Sequence, residues 1–272
     1  METLDPYSIT NKLDEAAIAS VTTRLEARGE DPFFQNMLDE YIAALDPARL
    51  KRVLEVGCGT GVATRALANH PSFTGHIDAS DLSEDLIATA IDLAERDGCA
   101  GKVSFTAQDA LAVSAEGTYD AVIAHTVISH VPAYEAFLAG LAKAVAKDGT
   151  IVMFDGDYAS TTLGAEDPAD GERLSQAIIN GMIVNPRIMQ QMPWIAANAG
   201  LKVRKSFSYL LSEIGSAGFF ADMLPSLPVL LPRTGQADET TTRRWVEQQK
   251  GYARDGTFFG AVNFYTYMLR KT

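Results

Sequence analysis

The sequence predicts an α/β fold built on a doubly wound, mostly parallel sheet. Three observations carry this. An apolar strand, Arg52–Val56, breaks into three glycines within five residues; short apolar runs alternate with amphipathic helical stretches after it; and successive strands end in acidic residues.

Ahead of that strand, residues 12–28 and 33–45 read as helices separated by Gly29-Glu30-Asp31-Pro32. Ile18, Val21 and Leu25 share one face of the first, and Phe34, Met37, Leu38, Tyr41, Ile42 and Leu45 one face of the second. The strand then gives way to Gly57-Cys58-Gly59-Thr60-Gly61, where glycines let the backbone turn sharply and present N–H groups and a helix N-terminus to a ligand. A cofactor is expected there. The dinucleotide fingerprint requires Gly-x-Gly-x-x-Gly, whereas here the third glycine comes one residue early and Val62 stands in its place. Glu55, two residues before the first glycine, suits a cationic ligand and repels a pyrophosphate. A nicotinamide-dependent oxidoreductase would need phosphate-facing donors at that point, so the carboxylate favours S-adenosylmethionine.

The second strand, starting at His76, ends in Asp81, whose carboxylate can accept from both hydroxyls of a ribose. Ser83 caps the next helix, with Glu84 and Asp85 in its first turn, Ile87, Ile91 and Ala94 as its apolar stripe and Gly98 as its stop. A third strand, 103–107, stops at Gln108-Asp109-Ala110, where an aspartate either accepts from an exocyclic amino group such as adenine's or merely shapes a turn. The fourth, 119–124, runs into His125 and then His130. Tyr134, Phe137, Leu138, Leu141 and Val145 mark a crossover helix. The fifth strand, 150–154, follows a Lys147-Asp148-Gly149 turn and ends in Asp155 and Asp157. Helices are expected at 166–183 and 187–199, the second kinked or split at Pro193. A sixth strand at 201–207, an apolar proline-punctuated stretch from Phe219 to Pro232 and a helix around Trp245 follow. The last strand, 258–269, is expected to be buried on both faces.

The order and spacing of these motifs resemble the class I S-adenosylmethionine-dependent methyltransferases, and within them the small-molecule group related to the ubiquinone and menaquinone biosynthesis methyltransferases. The motifs lie within residues 50–155; beyond them the resemblance is architectural. It implies a Rossmann-like, seven-stranded sheet whose antiparallel last strand is inserted between the fifth and sixth. It also implies that Glu55, Gly57, Cys58, Gly59 and Gly61 hold the methionyl part of the cofactor, Asp81 with Leu82 the ribose, and Gln108, Asp109 and Ala110 the adenine, with His125 beside them. The chain reads as one domain over 1–272: a helical cap (1–49), the cofactor-binding core (50–155), inserted helices (156–200), and C-terminal strands with a helical lid (201–272). In such enzymes the leading segment closes over the substrate, which makes Tyr7, Phe33 and Tyr41 pocket candidates, although Phe33 and Tyr41 read better as core.

Displacing a sulfonium methyl group needs a nucleophile held in line, and positioning alone supplies much of the rate. A phenol, an ammonium or an acidic carbon must also lose a proton, which suits a histidine. His130 and His125 are the candidates, since His70 and His76 lie before or within the second strand. Asp155 is the candidate acid facing the acceptor. Paired with Asp157 it would need a third oxygen ligand to hold Mg²⁺, and none is evident, so no metal is expected. Met182, Met189, Met192, Trp194, Phe219, Phe220, Met223 and Trp245 suit either a sizeable, partly apolar acceptor or packing beneath a lid. Arsenic methylation would call for several thiols, which Cys58 and Cys99 do not supply. The expected activity is O-, N- or C-methylation of a small molecule; the competing readings are a cofactor-binding relative that rearranges or decarboxylates its substrate, and a regulatory binding protein.

Composition bounds these readings. At 272 residues, 47% apolar and 21% charged, the chain can bury a full core. No apolar run approaches the roughly 20 residues of a membrane helix, and Met1-Glu2-Thr3-Leu4-Asp5-Pro6 lacks the shape of a signal peptide, so a cytoplasmic location is expected. Two cysteines make neither a disulfide scaffold nor a thiolate metal site. A net charge of −12, with Arg243-Arg244 the only adjacent arginine pair, argues against a nucleic-acid partner. The aromatic-rich late segment is either an internal lid or a homodimer surface.

Overall fold

The computed structural model describes residues 5–272. Met1–Leu4, part of the segment compared above with a signal peptide, lie outside the described residues. The described chain enters through a 3-10 segment, Pro6–Lys12, followed by α1 (Glu15–Glu30) and α2 (Pro32–Leu45). Asp14 and Asp31 cap these helices by accepting from the N–H groups of Ala17 and Phe33. Gly29 and Glu30 remain helical, so the break narrows to Asp31: Pro32 cannot continue α1 but is suited to open α2.

The alternating core comprises β1 (Arg52–Val56), α3 (Val62–Asn69), β2 (His76–Asp81), α4 (Glu84–Arg96), β3 (Val103–Ala107), β4 (Tyr119–His125), α5 (Tyr134–Ala144) and β5 (Val145–Leu163). Then come α6 (Pro168–Met182), α7 (Ile188–Asn198), β6 (Leu201–Gly215), α8 (Phe219–Met223), α9 (Leu227–Thr234), α10 (Glu239–Arg254) and β7 (Phe258–Lys271). The strands form one seven-stranded sheet in the order β3-β2-β1-β4-β5-β7-β6. It is parallel from β3 to β5, and β7 runs antiparallel between β5 and β6. The order reverses between β1 and β4, which places a ligand crevice at the C-terminal ends of those strands.

Alternate residues of the central strands feed two cores, as parallel strands covered on both faces require. Val53, Ala121, Ile123, Val152 and Phe154 pack with residues of α2, α3 and α4. Leu54, Val56, Val122, Ala124, Ile151 and Met153 pack with residues of α5 and α7. Among the described residues no helix is long and apolar enough to cross a membrane.

Several elements depart from the sequence reading. The buried face of α4 is Leu86, Ile87, Ala90, Leu93 and Ala94, while Ile91, expected there, is 41% exposed. Lys147-Asp148-Gly149 is absorbed into a register shift between β4 and β5 rather than standing as a free turn, and Val145 ends α5 rather than lying within it. β5 runs on to Leu163, so Asp155 and Asp157 sit inside the strand, not at its end. β6 likewise extends past 207 to Gly215. β7 alternates buried with half-buried positions, because its outer neighbour β6 is itself largely exposed.

Pro193 lies within α7 without splitting it. Proline withholds its N–H from the carbonyl four residues back, that of Met189. The hydroxyl of Tyr267 on β7 donates to that carbonyl at 3.1 Å and replaces the missing partner.

Candidate active site

The glycine turn after β1 is built as its spacing requires. Gly57, Gly59 and Gly61 have φ of 72°, 54° and 81°, a region glycine enters without steric cost. A Cβ at Gly57 would stand 2.6 Å from Val127, and one at Gly59 2.9 Å from Leu25. The N–H groups of Gly57 and Cys58 donate to the Ser80 carbonyl, and that of Gly59 to Asp81 Oδ2 at 2.8 Å. Asp81 Oδ1 accepts from the Ser83 N–H at 3.0 Å, so one carboxylate ties the turn to the start of α4.

A cavity of about 250 Å³ opens over these strand ends. Glu55, Gly57, Cys58 and Gly59 line it from the turn, Asp81 and Leu82 from β2, Gln108, Asp109 and Ala110 from beyond β3, and His125 and His130 from beyond β4. Gly61 stands outside its wall and instead caps α3, against the ring of Phe105. Asp109 shapes a turn, its Oδ1 accepting from Leu111 N–H at 2.8 Å, and the residue also borders the cavity.

Glu55 is 2% exposed, and its carboxylate accepts from the Thr64 hydroxyl. Burial pushes its pKa up to about 7; the Thr64 bond opposes this, the charge of Asp81 adds to it, and that of Arg65 subtracts. Asp81 is also raised by burial, against the backbone N–H groups of Ser83, Gly59 and Leu82. The cavity floor is therefore a pair of buried carboxyls whose ionised forms a cationic ligand would favour.

The two histidines differ. His125 Nδ1 meets the Tyr41 hydroxyl at 2.9 Å, and burial, then the charge of Arg28, bring its pKa down to about 3. It stays neutral and serves as a hydrogen-bonding group, poorly suited to the proton acceptance expected of it. His130 Nδ1 lies 2.6 Å from Asp5 Oδ2. Burial lowers its pKa, but the charge and hydrogen bond of Asp5 and the charge of Asp155 outweigh burial and Arg28, so the net shift is upward. Asp5 arrives on the leading 3-10 segment, whose Ser8 hydroxyl also donates to the His130 carbonyl.

Asp155, expected to face an acceptor, does not line this cavity. It is fully buried and accepts from the N–H and hydroxyl of Ser129, both at 3.0 Å, and from the Gly156 N–H at 2.8 Å. Asp157 accepts through both oxygens from the Gln190 amide. Among the described residues no group of three or more His, Cys, Asp or Glu stands together to hold a metal ion.

A second cavity, about 640 Å³, shares a wall with the first: Tyr7, Arg28, Phe34, His130 and Tyr158 line both. Of the cover residues singled out by sequence, Met182, Phe219, Phe220 and Met223 line this second cavity. Met189 and Met192 instead belong to the core beneath α5, Trp245 to the opposite core, and Trp194 is 69% exposed. Phe33 is partly buried against the core and Tyr41 fully within it.

Sequence reasoning missed Arg28 and Tyr158. Arg28 extends the Ile18, Val21, Leu25 spacing by one more step, and a charge on that face was the available signal. Its guanidinium lies against the contacting rings of Phe34 and Phe219, 5.2 and 5.4 Å from their centroids. Tyr158 lies in the part of β5 beyond the predicted strand end.

Residues 53–149 match the family model described as "Methyltransferase domain". A ubiquinone biosynthesis O-methyltransferase of Methylococcus capsulatus is 32% identical over 115 residues, 42% of this chain and 47% of that protein. The chain spans about half the length of the curated relatives it matches. A methyltransferase of Geobacter sulfurreducens solved with S-adenosylhomocysteine superposes with a TM-score of 0.56 at 16% identity, covering 90% of this chain and 92% of that one. The 4+2 cyclase SpnF superposes with a TM-score of 0.55 at 18% identity, covering 89% and 84%. At these identities the structural likeness concerns the fold alone.

Proposed function

We propose, taking as premise that this chain carries a class I S-adenosylmethionine-dependent methyltransferase domain, that it methylates a small, partly apolar organic acceptor held in the second cavity. One observation carries this reading: the cavity bordered by Glu55, Asp81 and Asp109 meets a larger apolar one at a wall containing His130.

The residues present fit the cofactor. Glu55, buried and in no ion pair among the described side chains, suits its ammonium group. The glycine turn leaves room where Cβ atoms would intrude. Asp81 has lone pairs left for ribose hydroxyls beyond the backbone N–H groups it accepts from. Asp109 and Ala110 border the place for an adenine edge. When bound, the cofactor supplies an activated methyl group on a cationic sulfur.

His130 is the base. Asp5 accepts from its Nδ1, which leaves Nε2 to take a proton from the acceptor's hydroxyl, amine or carbon acid. Asp155 acts from behind, holding Ser129 and adding negative charge toward the imidazolium. Tyr7, Phe34 and Tyr158 keep water from the shared wall.

Calorimetric titration with S-adenosylmethionine, S-adenosylhomocysteine and NAD tests the cofactor, with the first two expected to bind and NAD not. Incubation with phenols, amines and carbon acids then tests transfer, read as a product heavier by one CH₂ unit together with S-adenosylhomocysteine. The fold shared with a cyclase supports a second reading, a non-methylating catalyst. Substrate conversion without mass gain would establish that one.

A further inference from the structure

The face of α1 that walls the second cavity carries two guanidiniums, Arg24 and Arg28, one helical turn apart. Among the described residues neither forms an ion pair, although Arg65 makes two, with Glu26 and Asp97. Nor are carboxylates scarce in a chain with 35 Asp plus Glu against 23 Lys plus Arg. Like charges four residues apart on a helix repel, so this arrangement opposes helix stability with no internal compensation.

Both arginines are held in place by rings rather than by counterions. Arg24 lies 5.6 Å from the Tyr7 ring centroid, and its Nε is buried with no hydrogen-bond partner. Arg28 lies against the rings of both Phe34 and Phe219, and its positive charge reaches His130 and Tyr158, opposing the upward shift of each pKa. The acids bordering the cavity are otherwise placed: Asp5 on His130, Asp31 on the first turn of α2, and Asp222 exposed. Beyond these the wall is mostly apolar, with Val21, Ile178, Met182, Phe220 and Met223 among its residues. A cavity with an apolar body and half-buried guanidiniums without counterions on one side is complementary to an apolar anion.

We infer that the second cavity takes an acceptor with an apolar body and a carboxylate group, the carboxylate bound by Arg24 and Arg28 and the reacting group turned toward His130. This rests on the acceptor-site reading above. The two arginines select the substrate; they take no part in proton transfer.

The test uses hydroxylated aromatic carboxylic acids, each paired with its methyl ester, titrated into the full chain saturated with S-adenosylhomocysteine. An acid of the panel is expected to bind at least about tenfold tighter than its ester, the scale of a charge-assisted hydrogen bond. Arg24→Gln is expected to abolish that preference while leaving S-adenosylhomocysteine affinity unchanged and the thermal midpoint no lower. Equal binding of acid and ester, or binding of neither, overturns the inference while the cofactor assignment stands. Should Arg24→Gln or Arg28→Gln weaken S-adenosylhomocysteine and leave the acid preference intact, the guanidiniums serve the cofactor's own carboxylate and the inference fails. Failure of S-adenosylhomocysteine to bind the unmodified chain instead overturns the methyltransferase reading beneath it.

Discussion

His130 Nδ1 and Asp5 Oδ2 lie 2.6 Å apart, both side chains buried, although 125 positions of sequence separate them. The leading segment is thus bonded to the imidazole that stands between the two cavities, and its carboxylate sets the charge state of that ring. A base with a raised pKa is protonated, and inactive, until pH rises past that pKa. The acid limb of kcat/KM is therefore expected above 6.5, the ordinary histidine value. Asp5→Asn removes the main raising influence and shifts that limb to lower pH. His130→Ala lowers kcat by about 10²-fold or more while S-adenosylhomocysteine binding persists. A pH–rate profile that ignores Asp5→Asn would remove His130 from the role of base.

The same pair has a sign in folding. The folded pKa of His130 is raised, so its stabilisation is fully present below the unfolded value of 6.5 and is lost as pH rises through the folded pKa. Urea unfolding at pH 6 and pH 9 is expected to show a wider gap between the unmodified chain and His130→Ala at the lower pH.

Glu55 behaves in the opposite sense. Its folded pKa of about 7 lies above the ordinary 4.5, so without ligand stability falls as pH rises from 4.5 through 7. A cationic ligand requires the ionised form, so cofactor affinity rises with pH up to about 7 and binding below that pH releases a proton. Calorimetry in buffers of different ionisation enthalpy reads this release directly. Glu55→Gln abolishes it and weakens binding by about 1.5–3 kcal/mol, the range for a hydrogen bond to a charged group.

Asp81 is expected to show a composite effect. Alanine there removes the acceptor proposed for ribose hydroxyls, and it also strips the Gly59 and Ser83 N–H groups of their partner. Each buried donor left unsatisfied costs about 1–3 kcal/mol. Asp81→Ala therefore lowers the thermal midpoint even in the absence of cofactor, and the rise on adding S-adenosylhomocysteine shrinks as well. An unchanged midpoint without ligand would show that the clamp between turn and helix contributes nothing.

The lining of the first cavity was legible in the sequence because it is local: Glu55, the glycine turn, Asp81 and Asp109 follow one another at strand ends, and strand order brings those ends to one crevice. The second cavity was legible only in part: Tyr7, His130, Met182, Phe219, Phe220 and Met223 were named from the sequence, but the cavity is assembled from distant pieces. Asp5, Arg24, Arg28 and Tyr158, which join them, come from the leading segment, α1 and β5 and carry no common spacing. Asp155 illustrates the reverse error. Ending β5 at Phe154 made it a strand-tip acid, whereas pairing with β7 carries the strand onward and buries it beneath Ser129.

Pro193 provides the last prediction, because the helix around it persists for a reason sequence alone hides. The Met189 carbonyl, orphaned by the proline, takes its hydrogen bond from Tyr267 across the sheet–helix interface. Tyr267→Phe removes that donor and is expected to destabilise the fold by about 1 kcal/mol, the net worth of such a bond. Pro193→Ala restores an N–H within reach of the same carbonyl, so Tyr267→Phe costs markedly less in that background. The double-mutant cycle by urea denaturation measures the difference as a coupling energy, expected at about 0.5–1 kcal/mol. Strict additivity would mean that the hydroxyl and the proline are independent, and that α7 is held continuous by packing of Ile188, Met189 and Met192 alone.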